Sequence, residues 1–157
     1  MLVGVISDTH GLLRPQVLEL FQDVETIIHA GDIGNQDVLT KLRRLAPVHA
    51  VHGNTDGFPL TKQFPSKKSF QLQNISVFLT HIGGSPHQMR SRYPEIEDSD
   101  LVIFGHSHKP LKVQDGHTLF FNPGSAGPVR LSTPVTLGKI KISESDISVD
   151  IVEIIGS

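Results

Sequence analysis

The first 54 residues hold three short apolar runs separated by two stretches with helical periodicity. This alternation restricts the folds open to the chain more than any other feature. "LVGVIS" (2–7) reads as a first strand. In residues 13–22, Pro15 suits a first helical turn, and Val17, Leu18, Leu20 and Phe21 supply an apolar stripe. "ETIIHAGD" (25–32) is a second strand. "NQDVLTKLRRL" (35–45) is a second helix, capped by Asn35, with Val38, Leu39, Leu42 and Leu45 on one face. "VHAVHGN" (48–54) is a third strand. A βαβαβ order predicts a parallel sheet with helical crossovers.

The second half reads differently. "SFQL" (69–72) and "ISVFLTH" (75–81) are short strands around Gln73-Asn74, the pattern of a hairpin. A loop with Gly83, Gly84 and Pro86 leads into a short helix near 86–92, and "DLVIFGH" (100–106) is a buried strand. "LKVQ" and "HTLFFN" flank Asp115-Gly116 as a hairpin turn. "VTLGKIKIS" and "DISVDIVEI" alternate in polarity and are joined at Glu144-Ser145. Parallel βαβ units followed by antiparallel strands predict an α/β domain of two packed sheets with helices outside, spanning 1–157 as one domain.

Composition narrows the classes. With 38% hydrophobic and 19% charged residues the chain has the make-up of a folded soluble protein. A formal charge of −2 without a basic block gives no footprint for strong nucleic-acid binding. The absence of cysteine removes disulfides, thiolate nucleophiles and zinc fingers together. "MLVGVIS" lacks a basic start and reads as a strand, not a signal peptide; with no run of 18 apolar residues, no membrane span is expected and the location is cytoplasmic.

Polar punctuation recurs at the strand ends: Asp8 and His10, then Asp32, Asn54, His81, and finally His106 and His108. In an extended segment residues i and i+2 point to one side, which would aim Asp8 and His10 together. Glycine precedes Asp32, Asn54 and His106, as suits a sharp turn before a ligand. In open α/β sheets function gathers beyond the carboxyl ends of the strands, so these side chains are expected on one rim. Seven are too many for one ion and suit two ions sharing a carboxylate. A sulfur-free Asp/His/Asn set favours manganese, iron, cobalt, nickel or zinc. Two such ions suit in-line displacement at phosphorus.

"DTH", "GD", "GN", "TH" and "GHSH", in this order, resemble the calcineurin-like metallophosphoesterases, and "GNTD" with the short length is similar to the small bacterial and archaeal phosphodiesterase branch. The resemblance implies a four-layer αββα sandwich and a metal-dependent phosphodiesterase acting on a small phosphodiester, with Mn2+ as first choice of metal. Asp8, His10 and His108 would hold one ion, Asn54, His81 and His106 the other, and Asp32 would bridge. Asp32, Asn54 and His81 would carry the catalytic role. Two readings compete: a phosphomonoesterase, and a non-catalytic interaction scaffold, which this fold provides in a retromer subunit with altered motif residues. A homo-oligomer is left open.

One departure matters. The family commonly has histidine after the asparagine of its third motif, whereas this chain has Thr55, a poor general acid near pH 7. Either good leaving groups are favoured over alkoxides, or a metal-bound water is recruited as the acid. Asp56 would cap the turn or support the site. His29 and His52 are expected to pack or hydrogen-bond in the sheet, and His49, His87 and His117 to be structural or exposed. "NPGS" (122–125) is a turn that the resemblance places in support of the rim. Arg130 is expected at the surface. Phe58 and Pro59 would wall the substrate cleft, and Phe58, Leu60 and Phe64 would form a contact surface or core.

Overall fold

The computed structural model describes residues 1–144 and 146–155. The strands are β1 (Leu2–Ile6), β2 (Thr26–His29), β3 (Val48–Ala50), β4 (Lys67–Leu72), β5 (Ile75–Ile82), β6 (Leu101–Gly105), β7 (Leu111–Asp115), β8 (Thr118–Asn122), β9 (Val135–Ile142) and β10 (Ile147–Ile155). The helices are α1 (Pro15–Leu20), α2 (Gln36–Arg43), α3 (Leu60–Gln63) and α4 (Pro86–Arg92), with a 3-10 turn at Pro94–Asp98. One sheet has the order β10-β9-β1-β2-β3 and the other β4-β5-β6-β8-β7.

Periodicity explains the layering. Along β1, Val3 and Val5 face one buried cluster while Ile6 faces another. Ile28 and Ile27 divide likewise on β2, Val77 and Phe78 on β5, Ile103 and Val102 on β6, and Phe121 and Phe120 on β8. The first member of each pair joins the cluster shared by the two sheets. The second packs under α1 and α2 (Val17, Phe21, Leu39, Leu42) or under α4 and the 3-10 turn (Met89, Ile96). Strands covered on both faces must be apolar on both, which is why they read as near-continuous hydrophobic runs. The result is the expected two-sheet sandwich flanked by helices.

Several details differ from the sequence expectation. The second sheet is not antiparallel throughout: β5, β6 and β8 run parallel, and only the edges β4 and β7 oppose them. The crossover from β5 to β6 carries α4 and the 3-10 turn, and this makes the parallel pairing possible. The antiparallel β9 and β10 join the first sheet, beside β1. In the β7–β8 hairpin Asp115 pairs with Thr118, so the loop residues are Gly116 and His117, one position later than expected. Gly116 supplies φ +64° at the first loop position. Both α3 and the 3-10 turn are too short to show periodicity and were not expected. α2 begins as expected, with Asn35 Oδ1 accepting from the Val38 amide at 3.2 Å. The Glu144-Ser145 join lies partly outside the described residues.

Candidate metal centre

The loops after β1, β2, β3 and β6 carry Asp8 and His10, Asp32, Asn54, and His106 and His108. His81 lies inside β5, where its register with β6 is interrupted between Leu79 and Ile82. The extended geometry expected for Asp8 and His10 is not present, because β1 stops at Ile6 and both residues have left-handed backbones (φ 56° and 48°). Asp32, His106 and His108 share that conformation. Five of the seven candidates thus adopt a φ uncommon for non-glycine residues, a strain that persists only where surroundings enforce it. Among the described residues only Gln73 and Ser132 are the other non-glycine cases. For Asp8, His10 and Asp32 the enforcement is a backbone zipper between two loops: the amides of Asp8, His10 and Gly11 donate to the carbonyls of Gly31, Asp32 and Ile33 at 3.0, 2.9 and 2.8 Å.

All seven side chains come together. Asp8 Oδ1 lies 3.1 Å from His108 Nε2, 3.8 Å from His10 Nε2 and 3.9 Å from His81 Nε2. Asp32 Oδ2 lies 3.2 Å from His81 Nε2 and 3.8 Å from His10 Nε2. Asn54 Oδ1 is 3.1 Å from His106 Nδ1. Two triads have potential ligand atoms within 4.8 Å of one another: Asp8, His10 and His108, and Asp32, His81 and His106.

The buried atoms Asp8 Oδ1, His10 Nε2 and His81 Nε2 make no well-aligned hydrogen bond, only close approaches among the clustered carboxylates and imidazoles. Buried polar atoms without partners are costly and rare, so three converging on one place are suited to a cation. Neutral imidazole and carboxylate donors fit a divalent metal.

The surroundings leave those atoms free. Asp8 Oδ2 accepts from Ser7 Oγ (2.6 Å) and the His106 amide (3.1 Å). Asp32 Oδ1 accepts from the Thr55 amide at 2.9 Å. His81 Nδ1–H donates to the Ala30 carbonyl at 2.7 Å, which turns Nε2 toward the carboxylates. Such outer partners fix ring orientation and tautomer. Burial opposes charge on Asp8, but His108, Ser7 and His81 outweigh it and hold its carboxyl below the ordinary value. Burial opposes charge on Asp32 too, yet His81 and the Thr55 amide depress that carboxyl strongly. His81 is pushed up: burial works against its charged form, and the Asp32 and Asp8 carboxylates prevail.

The glycines before Asp32, Asn54 and His106 serve close approach more than turning. A Cβ on Gly53 would sit 2.1 Å from Asp32 Oδ1, and one on Gly105 2.1 Å from Ser7 Oγ. Of these three, only Gly31 combines a left-handed φ (+101°) with a close neighbour, His81 Nδ1 at 2.7 Å.

Asp56 neither touches the cluster nor merely caps a turn. It accepts from the amides of Ile33, Gly34 and Gly53 and so clamps the β2 and β3 loops together. His29 is fully buried in β2, as expected for a packed sheet residue. "NPGS" supports the rim: Ser125 Oγ donates to the Asp8 carbonyl (3.1 Å), and Asn122 Nδ2 donates to the Gly105 carbonyl (3.1 Å). Ser7 and Thr9 were missed as supports; their only signal is adjacency to a candidate ligand.

Other residues fall elsewhere. Phe58 is 81% exposed and does not line the cavity that Asn54 and His81 share. Leu60 and Phe64 join the core under the first sheet and form no contact surface with Phe58. His52 lies beyond β3, not within the sheet. His49 stacks on Phe70 with ring centroids 4.2 Å apart, and His87 and His117 are exposed. Arg130 is exposed, in an open depression that His106 and His108 also line.

A two-sheet αββα sandwich with a rim of converging Asp, His and Asn side chains defines a metal-binding phosphoesterase class. The model of the calcineurin-like phosphoesterase superfamily domain matches residues 1–145, and the chain belongs to that family. It is 37% identical over 142 residues to a probable metallophosphoesterase of Methanothermobacter thermautotrophicus, covering 85% of this chain and 82% of that protein. Its fold is similar to that of a structurally characterised archaeal phosphodiesterase (TM-score 0.78, 26% identity, 97% of this chain and 100% of that one). It is also similar to wild-type Vps29 of Entamoeba histolytica complexed with Zn2+ (TM-score 0.76, 25% identity, 98% and 99%).

Proposed function

We propose that this chain is a metal-dependent phosphodiesterase. Its single domain spans residues 1–157, its location is cytoplasmic, and its substrate is a small phosphodiester. The observation that carries the reading is the convergence of Asp8 Oδ1, His10 Nε2 and His81 Nε2, buried and without a well-aligned hydrogen bond, from two adjoining Asp/His/His triads.

Asp8, His10 and His108 would hold one divalent ion. Asn54, His81 and His106 would hold the second, and Asp32 would be shared. Manganese is the first choice; nickel, cobalt, iron and zinc suit the same donors. When bound, the ions supply a hydroxide nucleophile at neutral pH and offset charge developing on the phosphoryl oxygens. The chain's own part is positional. Asp8 and Asp32 stay anionic, Ala30 keeps His81 Nε2 directed inward, and the loop zipper keeps the left-handed turns in place. A preorganised set of this kind needs no rearrangement as charge develops.

Hydrolysis of bis-p-nitrophenyl phosphate with and without added manganese tests the reading. Metal-stimulated turnover that Asn54→Ala removes is expected, with mono- and diesters compared at equal concentration. Full activity in Asn54→Ala would reject the site. Metal binding without turnover of any ester would favour the interaction scaffold.

A further inference from the structure

Beside the metal cluster lies a cavity of about 170 Å3 that shares Asn54 and His81 with it. Its remaining wall is mostly apolar and includes Lys67, Thr80, Ile82 and Tyr93. An apolar protein cavity of roughly 150 Å3 accepts one benzene ring, so this space matches a single six-membered ring.

The wall is rigid. The Tyr93 hydroxyl donates to the Ile82 carbonyl at 3.0 Å and accepts from Thr80 Oγ1 at 3.3 Å. The Phe78 ring packs against Tyr93 at 5.1 Å between centroids. The one cation, Lys67, is already engaged: its Nζ is 2.7 Å from Glu95 Oε2 and lies 5.9 Å from the Tyr93 ring centroid. Tyr93, Thr80 and Lys67 are therefore satisfied within the wall, and away from the Asn54 and His81 edge the cavity offers an incoming group shape and apolar contact more than charge.

We propose that this cavity is the subsite for one ester group of the substrate, and that the group it takes is a single uncharged aromatic ring close to the ester oxygen. The inference rests on the phosphodiesterase reading for its ester, and on the cavity alone for its ring. A dialkyl phosphate would leave the space to water. An aryl ester would fill it, with Tyr93 and Ile82 as the residues that set the preference.

Tyr93 is the only tyrosine, and the chain has no tryptophan. Ring-labelled tyrosine therefore gives one set of resonances that reports on the cavity directly. Phenol and methanol are titrated in parallel into metal-free protein. Phenol is expected to shift the Tyr93 signals and methanol to leave them unchanged. Ile82→Trp and, from the exposed loop, Ser66→Phe are expected to abolish the shift by filling the space. In the metal-loaded enzyme the same variants should raise KM for bis-p-nitrophenyl phosphate about tenfold or more, with kcat much less affected. Unshifted Tyr93 signals, or an unchanged KM in both filled variants, overturn the subsite. The titration needs no turnover. Protein that binds phenol but hydrolyses no diester would lose the phosphodiesterase reading and keep the ring site. Protein that hydrolyses diesters with Tyr93 undisturbed would do the reverse.

Discussion

The side chains of Thr9 and His29 meet at 3.0 Å inside the protein, joining the loop after β1 to the strand before Asp32. The Gly31 amide donates to His29 Nδ1 at 3.1 Å, so the ring proton sits on Nε2 and is given to Thr9 Oγ1. Thr9 in turn donates to the Ile33 carbonyl at 2.8 Å. A chain of three hydrogen bonds thus ties the segment carrying Asp8 and His10 to the one carrying Asp32. Replacing His29 by Leu should leave the buried Thr9 hydroxyl and Gly31 amide short of a partner, at about 1–3 kcal/mol. Loosening the loops should weaken metal binding about 10–100-fold. Urea unfolding and calorimetric metal titration measure the two effects; a variant matching wild type in both would remove the clamp from the account.

The same residue gives a pH dependence. Burial lowers the pKa of His29 from 6.5 to about 4, so the folded protein keeps it neutral where the unfolded chain would protonate it. The unfolded state binds more protons between these values, so stability rises with pH across that window and falls on acidification. The full effect is about 3 kcal/mol. Asp8 and Asp32, held below ordinary carboxyl values, add stability that is likewise lost in acid, as pH falls through their folded values. His81, pushed up, acts oppositely: its contribution is present below its unfolded pKa and lost as pH rises. Denaturant midpoints for wild type and His29→Gln should converge as pH falls; parallel curves would show that His29 does not carry the dependence.

Gly53 tests close packing at the cluster. Its Cβ would lie 2.1 Å from Asp32 Oδ1 and 2.4 Å from the Asp32 amide nitrogen, and backbone cannot yield cheaply. Gly53→Ala should cost about 1–3 kcal/mol and displace the Asp32 carboxylate, with loss of metal affinity. Gly57→Ala, where a Cβ meets nothing within 4 Å, is the control expected to change little. Equal melting temperatures and metal affinities for the two variants would contradict the packing argument.

Position 55 bears on leaving-group chemistry. Thr55 is exposed, and its amide is committed to Asp32. Its neutral hydroxyl is a poor proton donor near pH 7. Turnover should fall steeply as the leaving group changes from nitrophenolate to alkoxide. Thr55→His should recover part of the general-acid contribution, which reaches about 10²–10⁴-fold, for alkyl esters alone. Equal rates for aryl and alkyl diesters, with chemistry limiting, would discard the idea.

The amino-acid sequence by itself determined the strands, three of the four α-helices (α1, α2 and α4) and the identity of the clustering side chains. Buried strands must be apolar, and the polar residues that end them stand out against that background, as Asp8, Asp32 and His106 do. Local pattern could not reach what depends on distant partners. The left-handed turns at Asp8 and His10 exist because Gly31, Asp32 and Ile33 accept their loop's amides. The need for glycine at 53 arises from Asp32, and the role of Asp56 from the β2 loop, both more than twenty residues away. The parallel pairing of β6 with β8, the outward face of Phe58 and the cavity beside His81 likewise depend on contacts between segments distant in sequence. Which side chains exist is a property of the chain, but which atoms are left without partners is a property of the fold. That difference turned seven scattered residues into a candidate metal centre.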